Sequence, residues 1–383
     1  MKTKVKHRWL VTFLLFLFGF SFSLVSYASS VLTGTSNGMT YQVNLIARNL
    51  SIPWGMTFIT QKQLLITQRQ GTALLLNLEN NTRTPIKGLP KVAARGQGGL
   101  LDVITEPSYQ YPNNWIYFTY SQHTNRGAVT VLARAKLSFD TLTSWEKLLI
   151  TDSATLTSRH FGSRIVFDKQ GHLFFSVGDR GARPNGQDLT NHAGSILRLN
   201  LDGSVPNDNP FTNQSIVRPE IWSYGHRNPQ GLAYDKQANR LWAIEHGPRG
   251  GDEVNLIRKG KNYGWPITSH GKEYWGPLAV GEATEKEGIE SPKKIYIPSI
   301  APGSLLLYTG EAFPAWQGDL FAGALKLEHI NHLSLDDAGS IIAEERLITE
   351  LGERVRALIQ STEGLIYFST DNGNLYQISP LQP

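Results

Sequence analysis

The chain has 383 residues, 40% of them hydrophobic, which is enough to build a substantial buried core. It carries 37 Lys and Arg residues against 32 Asp and Glu, but four of the basic residues lie in the first 28 positions, so the remainder is nearly neutral. That balance argues against a nucleic-acid-binding protein, and the lack of cysteine excludes disulfides, thiolate metal sites and cysteine nucleophiles.

The N-terminus has the three parts of a secretory signal peptide. Basic residues at positions 2, 4, 6 and 8 precede an apolar run over residues 9–25, and Ser26-Tyr27-Ala28 provides a small-residue cleavage site. We predict a signal peptide over residues 1–28 and export to the periplasm. An uncleaved membrane anchor is the alternative, because the apolar run approaches the length of a spanning helix.

One short apolar strand, usually entered from a polar turn, recurs six times along the rest of the chain. The copies are Gln63–Thr67, Asn114–Thr119, Gly171–Ser176, Asn239–Ile244, Gly318–Ala322 and Gly364–Ser369. Further strands are predicted over residues 128–135 and 195–200, and no segment keeps a helical apolar period over four turns. Six copies at roughly the spacing of four-stranded blades predict an all-β, six-bladed propeller that occupies residues 29–383 as a single domain.

Two glycine- or histidine-containing loops stand out before predicted strands. In Arg95–Asp102, three glycines surround Gln97, which would let the backbone approach a flat ligand; a simple tight turn is the alternative. In Arg159–Arg164, His160 stands at the mouth of a strand, where an imidazole can act as a general base. A structural histidine is the competing interpretation.

The densest polar region spans three segments, Tyr224–Gly231, Glu245–Glu253 and Asn262–Pro266. Arg227 and Asn228 place a fixed charge and an amide before a proline. The Gly247-Pro248 pair offers backbone carbonyls, and the neighbouring Asp252-Glu253 pair offers the hard oxygen ligands that calcium prefers. The spacing does not match an EF-hand loop, so a solvated acidic pair beside a turn remains an alternative.

Three cations near the C-terminus form the last candidate group. Arg354 and Arg356 are two apart, which in a strand places both guanidinium groups on one face, and Lys326 follows the fifth repeat strand. Two such arginines repel unless an anion meets them, so these residues either are surface charges or receive a polyanionic ligand near the propeller axis.

Taken in order, these segments resemble the soluble quinoprotein glucose/sorbosone dehydrogenase family, and especially its aldose sugar dehydrogenases. The resemblance covers nearly the whole chain after the N-terminal segment, and the Gly225–Leu232 run together with Asn262–Pro266 is its most specific part. The other matching segments are Gly96–Leu101, His160–Arg164, Gly178-Asp179, Gly194–Leu199, Gly247-Pro248, Asp252–Asn255, Gly323–Lys326 and Arg354–Arg356.

The resemblance implies a six-bladed propeller that oxidises aldoses to lactones with pyrroloquinoline quinone (PQQ) and calcium. His160 is implied to be the general base, with Arg227 assisting beside the quinone oxygens. The implied cofactor contacts are Gln97, Arg227, Asn228, Tyr274, Lys326, Arg354 and Arg356. The carbonyls of Gly247 and Pro248 are implied to hold the cofactor calcium, and Glu253 with the carbonyl of Tyr263 a second, structural calcium.

The chain also departs from the family pattern. Ala357 follows the Arg-x-Arg run where an aspartate is frequent, and Arg159 precedes the base where some members carry an acidic residue. The loops that provide dimer contacts in glucose-specific members are shorter here, which favours the broader aldose type over a strict glucose enzyme. The oligomeric state stays open between a monomer and a weak dimer. The expected partners are an aldose substrate and an external electron acceptor, either a quinone or a cytochrome.

Two other functions fit a six-bladed propeller. A calcium-dependent lactonase or esterase would place side-chain carboxylates and Asn around one axial metal, and it would have no use for the Lys326, Arg354 and Arg356 cations. A non-catalytic sugar-binding propeller is the third hypothesis, and it leaves the presence of His160, Arg227 and Asn228 unexplained.

Overall fold

A computed structural model describes residues 30–112 and 114–381. The predicted signal peptide at residues 1–28 lies outside the described residues. Regular structure in this part of the chain is almost entirely β. The helices present are three short 3-10 turns, Arg183–Gln187, Pro314–Trp316 and Thr349–Leu351. None of the described helices is long and apolar enough to cross a membrane.

In residues 30–112 and 114–381, twenty-five strands form six antiparallel sheets, which are the blades of a propeller. Blade 1 contains β3 (Pro53–Thr60), β4 (Gln63–Gln68), β5 (Thr72–Asn77) and β6 (Arg83–Pro85). Blade 2 contains β7 (Leu100–Thr105), β8 (Ile116–Thr124), β9 (Gly127–Ser138) and β10 (Thr141–Ile150). Blade 3 contains β11 (Ile165–Phe167), β12 (His172–Val177), β13 (Ser195–Asn200) and β14 (Ile221–Tyr224).

The remaining blades complete the ring. Blade 4 contains β15 (Pro229–Asp235), β16 (Arg240–Glu245), β17 (Asp252–Ile257) and β18 (Lys294–Tyr296). Blade 5 contains β19 (Pro302–Leu307), β20 (Leu320–Ala324), β21 (Ile330–Leu335) and β22 (Ile341–Leu347). Blade 6 contains β23 (Val355–Gln360), β24 (Ile366–Thr370) and β25 (Leu375–Pro380), extended by β2 (Met39–Ala47) and β1 (Ser30–Ser36).

The six-bladed prediction is confirmed, and the six recurring strands share one structural position. Each is the second strand of its blade: β4, β8, β12, β16, β20 and β24. These strands are apolar and buried along most of their length because a second strand is covered by the adjacent blades on both faces. A position buried in this way favours a short apolar run over strict alternation, which is why the same pattern recurs.

The ring closes by pairing the two ends of the described chain. Strand β2 runs antiparallel to β25, with Val43 opposite Ile378, so residues more than 330 positions apart share a sheet. The inner strands contact one another in cyclic order, including β23 against β3. Apolar side chains from neighbouring blades fill the spaces between sheets; one such cluster joins Leu65 and Leu75 of blade 1 to Phe118 and Val131 of blade 2. Closure of this kind brings the loops at the same end of all six blades together around one axis.

Candidate active site

The predicted site residues converge on one face of the propeller. In every blade the first and second strands are antiparallel, so the start of the first lies beside the end of the second; Pro229 of β15, for example, lies opposite Glu245 of β16. Loops entering the first strands carry Gln97, His160, Arg227, Asn228 and Arg354, and turns after the second strands carry Asp179, Gly247, Pro248, Lys326 and Asp371. Residues between positions 97 and 371 therefore meet at one end of the axis.

His160 forms a buried dyad with Asp179. Its Nδ1 lies 2.6 Å from Asp179 Oδ1, which also accepts the Gly181 amide at 2.7 Å, and the other carboxylate oxygen accepts Trp265 Nε1–H at 2.8 Å. Burial lowers the pKa of His160 from its ordinary value, and the charges of Arg227 and Arg159 act in the same direction, while the bond to Asp179 opposes them. Burial would raise the pKa of Asp179, but the hydrogen bond and charge of His160, the Gly181 amide and the charge of Arg227 together lower it below its ordinary value, so that carboxyl stays ionised. Nδ1 is thus the donor, and Nε2 is left as the basic nitrogen.

The backbone around the base is fixed by polar contacts and close packing. The His160 amide donates to Gln97 Oε1 at 2.7 Å, and the Gly162 amide donates to Asn228 Oδ1 at 3.1 Å. His160 itself has a left-handed φ of 56°, which is unfavourable for a side-chain-bearing residue and needs such support. A Cβ at Gly178 would lie 2.4 Å from the His160 carbonyl oxygen, so this approach requires glycine.

Arg180 supports the loop that carries His160. Sequence reasoning did not identify this residue. Its side chain is fully buried and stacks 3.5 Å from the centre of the Phe161 ring. It donates to the carbonyls of Arg159, Ala128 and Thr157, the last two at 3.1 and 3.3 Å, and burial lowers its pKa to about 10. No carboxylate pairs with it among the described residues, so it positions the base loop through backbone carbonyls alone.

Arg227 lies beside the dyad and projects into the same cleft. Its guanidinium donates to the His246 carbonyl at 3.1 Å, lies 3.4 Å from the Tyr274 hydroxyl, and is 5.3 Å from the centre of the Trp265 ring. Its amide is anchored by Glu245 Oε2 at 2.7 Å. Tyr274 is 64% exposed, so the structure brings it to the rim of the cleft and leaves its ring accessible to a ligand.

Arg354 and Arg356 share one carboxylate, Asp371, that the sequence analysis did not identify. Arg356 donates to both Asp371 oxygens at 2.8 Å, and Arg354 donates from Nε at 3.2 Å. Burial opposes ionisation, yet the paired guanidinium groups hold the pKa of Asp371 below its ordinary value. Arg354 precedes β23 instead of lying within it. The side chains of Arg354 and Arg356 nevertheless both bind Asp371. The carboxylate that pairs with both arginines thus comes from the turn after the neighbouring strand β24.

Lys326 joins this cationic group through the backbone. Arg354 Nη1 donates to the carbonyl of Leu325 at 2.7 Å, which ties the turn after β20 to the start of blade 6. The Lys326 side chain is exposed, and its ammonium makes no hydrogen bond or ion pair within residues 30–112 and 114–381. Lys326 thus follows directly after the residue whose carbonyl Arg354 binds, and Asp371 is the only carboxylate that pairs with any of the three cations in the described chain.

The Gly247-Pro248 turn is held by Asp252, which changes the interpretation of the acidic pair. Asp252 Oδ1 accepts the Gly247 amide and the Ser299 hydroxyl, both at 2.9 Å, and Oδ2 accepts the Ala301 amide at 2.7 Å. Burial raises the pKa of this carboxyl to about 6 despite those bonds. Both carboxylate oxygens of Asp252 therefore accept hydrogen bonds that shape the turn, and Glu253 is the member of the pair that stays a candidate cation ligand.

The other acidic residue, Glu253, lines a small pocket. The pocket is lined by Glu245, Gly247, Pro248, Glu253 and Tyr263 among others. Burial and the adjacent Glu245 carboxylate raise the pKa of Glu253 to about 8, and one amide, Asn255 Nδ2, lies 3.2 and 3.3 Å from the two carboxylates. The buried Asn255 Oδ1 has no hydrogen-bond partner in the described chain. Two crowded carboxylates and an orphaned amide oxygen indicate an environment suited to a cation.

His246 is a further residue that sequence reasoning missed. It lies between the dyad and the arginines, and its Nε2 is 2.6 Å from the Pro302 carbonyl, to which it donates. Burial lowers its pKa to about 3, with the charges of Arg227 and Arg356 acting in the same direction although the Pro302 bond opposes them. His246 is consequently neutral at any ordinary pH and connects blades 4 and 5 beneath the site.

The glycines around Gln97 make their close approaches to the protein itself. A Cβ at Gly99 would lie 1.8 Å from the Arg69 carbonyl oxygen, so this glycine packs against the neighbouring blade. The tight-turn interpretation holds for the glycines, while Gln97 is joined to the base loop through His160.

For the lactonase hypothesis, no group of three or more His, Asp or Glu side chains in the described residues is arranged to hold a metal.

Comparison with known proteins places these features in a family. The family model for glucose/sorbosone dehydrogenases matches residues 50–377. The aldose sugar dehydrogenase YliI of Escherichia coli K12 is 38% identical over 351 residues, which cover 89% of this chain and 93% of that protein. Quinoprotein glucose dehydrogenase B of Acinetobacter calcoaceticus is 27% identical over 417 residues, covering 88% of this chain and 86% of that protein.

Solved structures agree on the architecture. The apo form of the soluble aldose sugar dehydrogenase of Escherichia coli superposes with a TM-score of 0.84 at 36% identity. The match covers 89% of this chain and all of that one, so it extends over every blade.

Proposed function

This chain belongs to the glucose/sorbosone dehydrogenase family, and from that premise we propose that it oxidises aldose sugars at the anomeric carbon to lactones, using PQQ and calcium. The observation that carries the proposal is the His160–Asp179 dyad, whose basic nitrogen faces a cleft that Arg227 also lines. Electrons then pass to an external acceptor.

His160 is the proposed general base. Asp179 fixes the imidazole with Nδ1–H directed at the carboxylate, so Nε2 is available to take the proton of the anomeric hydroxyl. The lowered pKa keeps the imidazole neutral near neutral pH, and the adjacent carboxylate stabilises the imidazolium once the proton has moved. Arg227 contributes a fixed positive charge where negative charge develops during the reaction.

The cationic residues fit PQQ, a flat quinone with three carboxylates. Lys326, Arg354 and Arg356 would hold the carboxylates, since together they carry more positive charge than Asp371 compensates. Arg227 and Asn228 would lie beside the quinone oxygens, with Gln97 and Tyr274 as further contacts. When bound, PQQ supplies the electron-accepting carbonyl that takes the hydride.

Two oxygen-lined positions fit calcium. The Gly247 carbonyl accepts no hydrogen bond among the described residues, and the Pro248 carbonyl has only a 3.5 Å contact from the Ser299 hydroxyl, so both would be free to bind a hard cation. Glu253 and the carbonyl of Tyr263, on the same pocket, would hold a structural ion. A cation there would relieve the crowding of Glu245 and Glu253.

We also propose export to the periplasm through a signal peptide over residues 1–28, with residues 29–383 as the mature domain. Without cysteine, an exported chain has to draw its stability from its core or from bound ions instead of disulfides. A quinone or cytochrome is the proposed acceptor, and a monomer or weak dimer is the proposed assembly.

Reconstitution tests the whole proposal. Purified apoprotein receives calcium and PQQ, separately and together, and reduction of an artificial dye is followed with glucose, galactose, xylose and maltose. Dye reduction that requires both additives supports the proposal, and the order of rates gives the substrate class. Cofactor binding without oxidation of any sugar would point to another alcohol or aldehyde. No cofactor binding would contradict the proposal and favour a calcium-dependent lactonase or esterase.

A further inference from the structure

The cleft above the dyad is unusually rich in positive charge. It is lined by Arg159, His160, Asp179, Gly181, Arg183, Arg227, Pro248, Trp265 and Tyr274. Asp179 is the one carboxylate in that lining, and both its oxygens are occupied by His160, Gly181 and Trp265. No carboxylate of the lining is therefore free to balance an arginine.

The three arginines of the cleft differ in what they contact. Arg183 is paired with Glu273 through two hydrogen bonds of 2.8 Å, and Arg227 is held by the His246 carbonyl and the Tyr274 hydroxyl. The exposed Arg159 guanidinium has no hydrogen bond or ion pair in the described part of the chain. Its stem lies along Gly181, where a Cβ would be 3.2 Å from Arg159 Nε.

Arg159 is also badly placed to serve the cofactor carboxylates. It enters blade 3 next to the base, whereas Lys326 leaves β20 of blade 5 and Arg354 and Arg356 belong to blade 6. In a ring of six blades, blades 3 and 6 lie on opposite sides of the axis. The unbalanced charge thus belongs to the part of the cleft beside His160, where the reacting sugar has to lie.

We propose that Arg159 selects aldoses that carry a carboxylate away from the anomeric carbon, namely hexuronic acids, and this proposal rests on the proposed function. A guanidinium and a carboxylate form a planar, charge-assisted pair, which a neutral hydroxymethyl group cannot provide. The uronate carboxylate is unchanged in the reaction. The anomeric carbon loses its hydrogen and its hydroxyl proton as in a neutral aldose, the two electrons go to the quinone, and the product is the lactone of an aldaric acid.

The test compares D-glucuronate with D-glucose using the holoenzyme reconstituted with calcium and PQQ. Arg159→Gln is expected to lower kcat/KM for glucuronate about fivefold, mainly through KM, and to change kcat/KM for glucose less than about twofold, as expected for one exposed charge pair. Arg159→Lys should retain part of the preference. Arg83→Gln, an exposed arginine on the outer strand β6, is the matched control and should alter neither sugar. Added salt should reduce the glucuronate rate selectively.

Several results would overturn the inference. An equal loss for both sugars, or no change for glucuronate, would show that Arg159 does not read the carboxylate. Weakened PQQ binding by Arg159→Gln, measured by titration of the apoprotein, would assign the residue to the cofactor instead. Wild-type holoenzyme that reduces dye with neither sugar would overturn the proposed function, and this inference with it. Wild-type activity on glucose, combined with the same glucuronate-to-glucose ratio of kcat/KM in the wild type and in Arg159→Gln, would overturn the inference alone.

Discussion

The base and its partner allow a sharp test through Asp179→Asn. The carboxylate accepts three donors at once: His160 Nδ1–H, the Gly181 amide and Trp265 Nε1–H. An asparagine has one accepting oxygen and one donating amide in the same space. If its oxygen faces His160 and Gly181, its NH₂ meets the Trp265 donor. If it is flipped, the NH₂ meets Gly181 and forces His160 into the tautomer with Nε2 protonated.

Either orientation removes catalytic power. The first keeps the tautomer but loses the negative charge that stabilises the imidazolium at 2.6 Å, and the second removes the base. A buried donor left facing another donor destabilises the folded protein by roughly 1–3 kcal/mol. General base catalysis contributes a factor on the order of 10²–10⁴ to the reaction rate. We therefore expect kcat/KM to fall by at least about 100-fold, which corresponds to about 2.7 kcal/mol.

The assay is dye reduction by the reconstituted holoenzyme with glucose, together with PQQ titration by absorbance. Because Asp179 does not belong to the proposed cofactor contacts, PQQ affinity should stay within about threefold of the wild type while kcat/KM collapses. A variant that retains both the wild-type kcat/KM and the wild-type pH profile would refute the assignment of the dyad.

Three other predictions use the same holoenzyme. His160→Gln should lose several orders of magnitude in turnover while still binding PQQ; near-normal turnover would remove His160 as the base. Since the pKa of His160 is lowered in the folded protein, kcat/KM should stay level as the pH falls to 6.5 and decline only below it, and a protonation limb above 6.5 would contradict that direction. Asp371→Asn should weaken PQQ binding about tenfold or more, because one carboxylate orients both Arg354 and Arg356, and unchanged affinity would show that the arginines do not contact the cofactor.

The blade count could be predicted from sequence because local burial repeats along the chain. A second strand is covered on both faces in every blade, so Leu64-Leu65-Ile66 and Leu173-Phe174-Phe175 carry the same apolar signature. The strand that closes the ring could not be predicted this way. Strand β2 is only partly buried and pairs with β25, and no local pattern identifies a partner at the other end of the chain.

The candidate site likewise contains residues that could be predicted from the sequence and residues that could not. His160, Arg227 and the Gly247-Pro248 turn lie in short, dense motifs that the sequence displays directly. The aspartates that give those motifs their chemistry were not identified as site residues. Asp179 follows a strand end 19 positions after the base, and Asp371 lies 15 positions after Arg356, each across a β-hairpin whose register decides the contact.

By itself the sequence determined the fold class, the six blades and the side chains that can do acid–base and anion-binding chemistry, because these depend on residue type and local periodicity. Only the tertiary structure decided which carboxylate serves which partner. Asp252 belongs to an acidic pair suited to calcium but holds a turn, Asp371 belongs to none of the sequence motifs but joins two arginines, and Arg159 is left without a counter-charge beside the base. Hydrogen-bond geometry is fixed when six blades close around one axis, and that closure is a property of the whole chain.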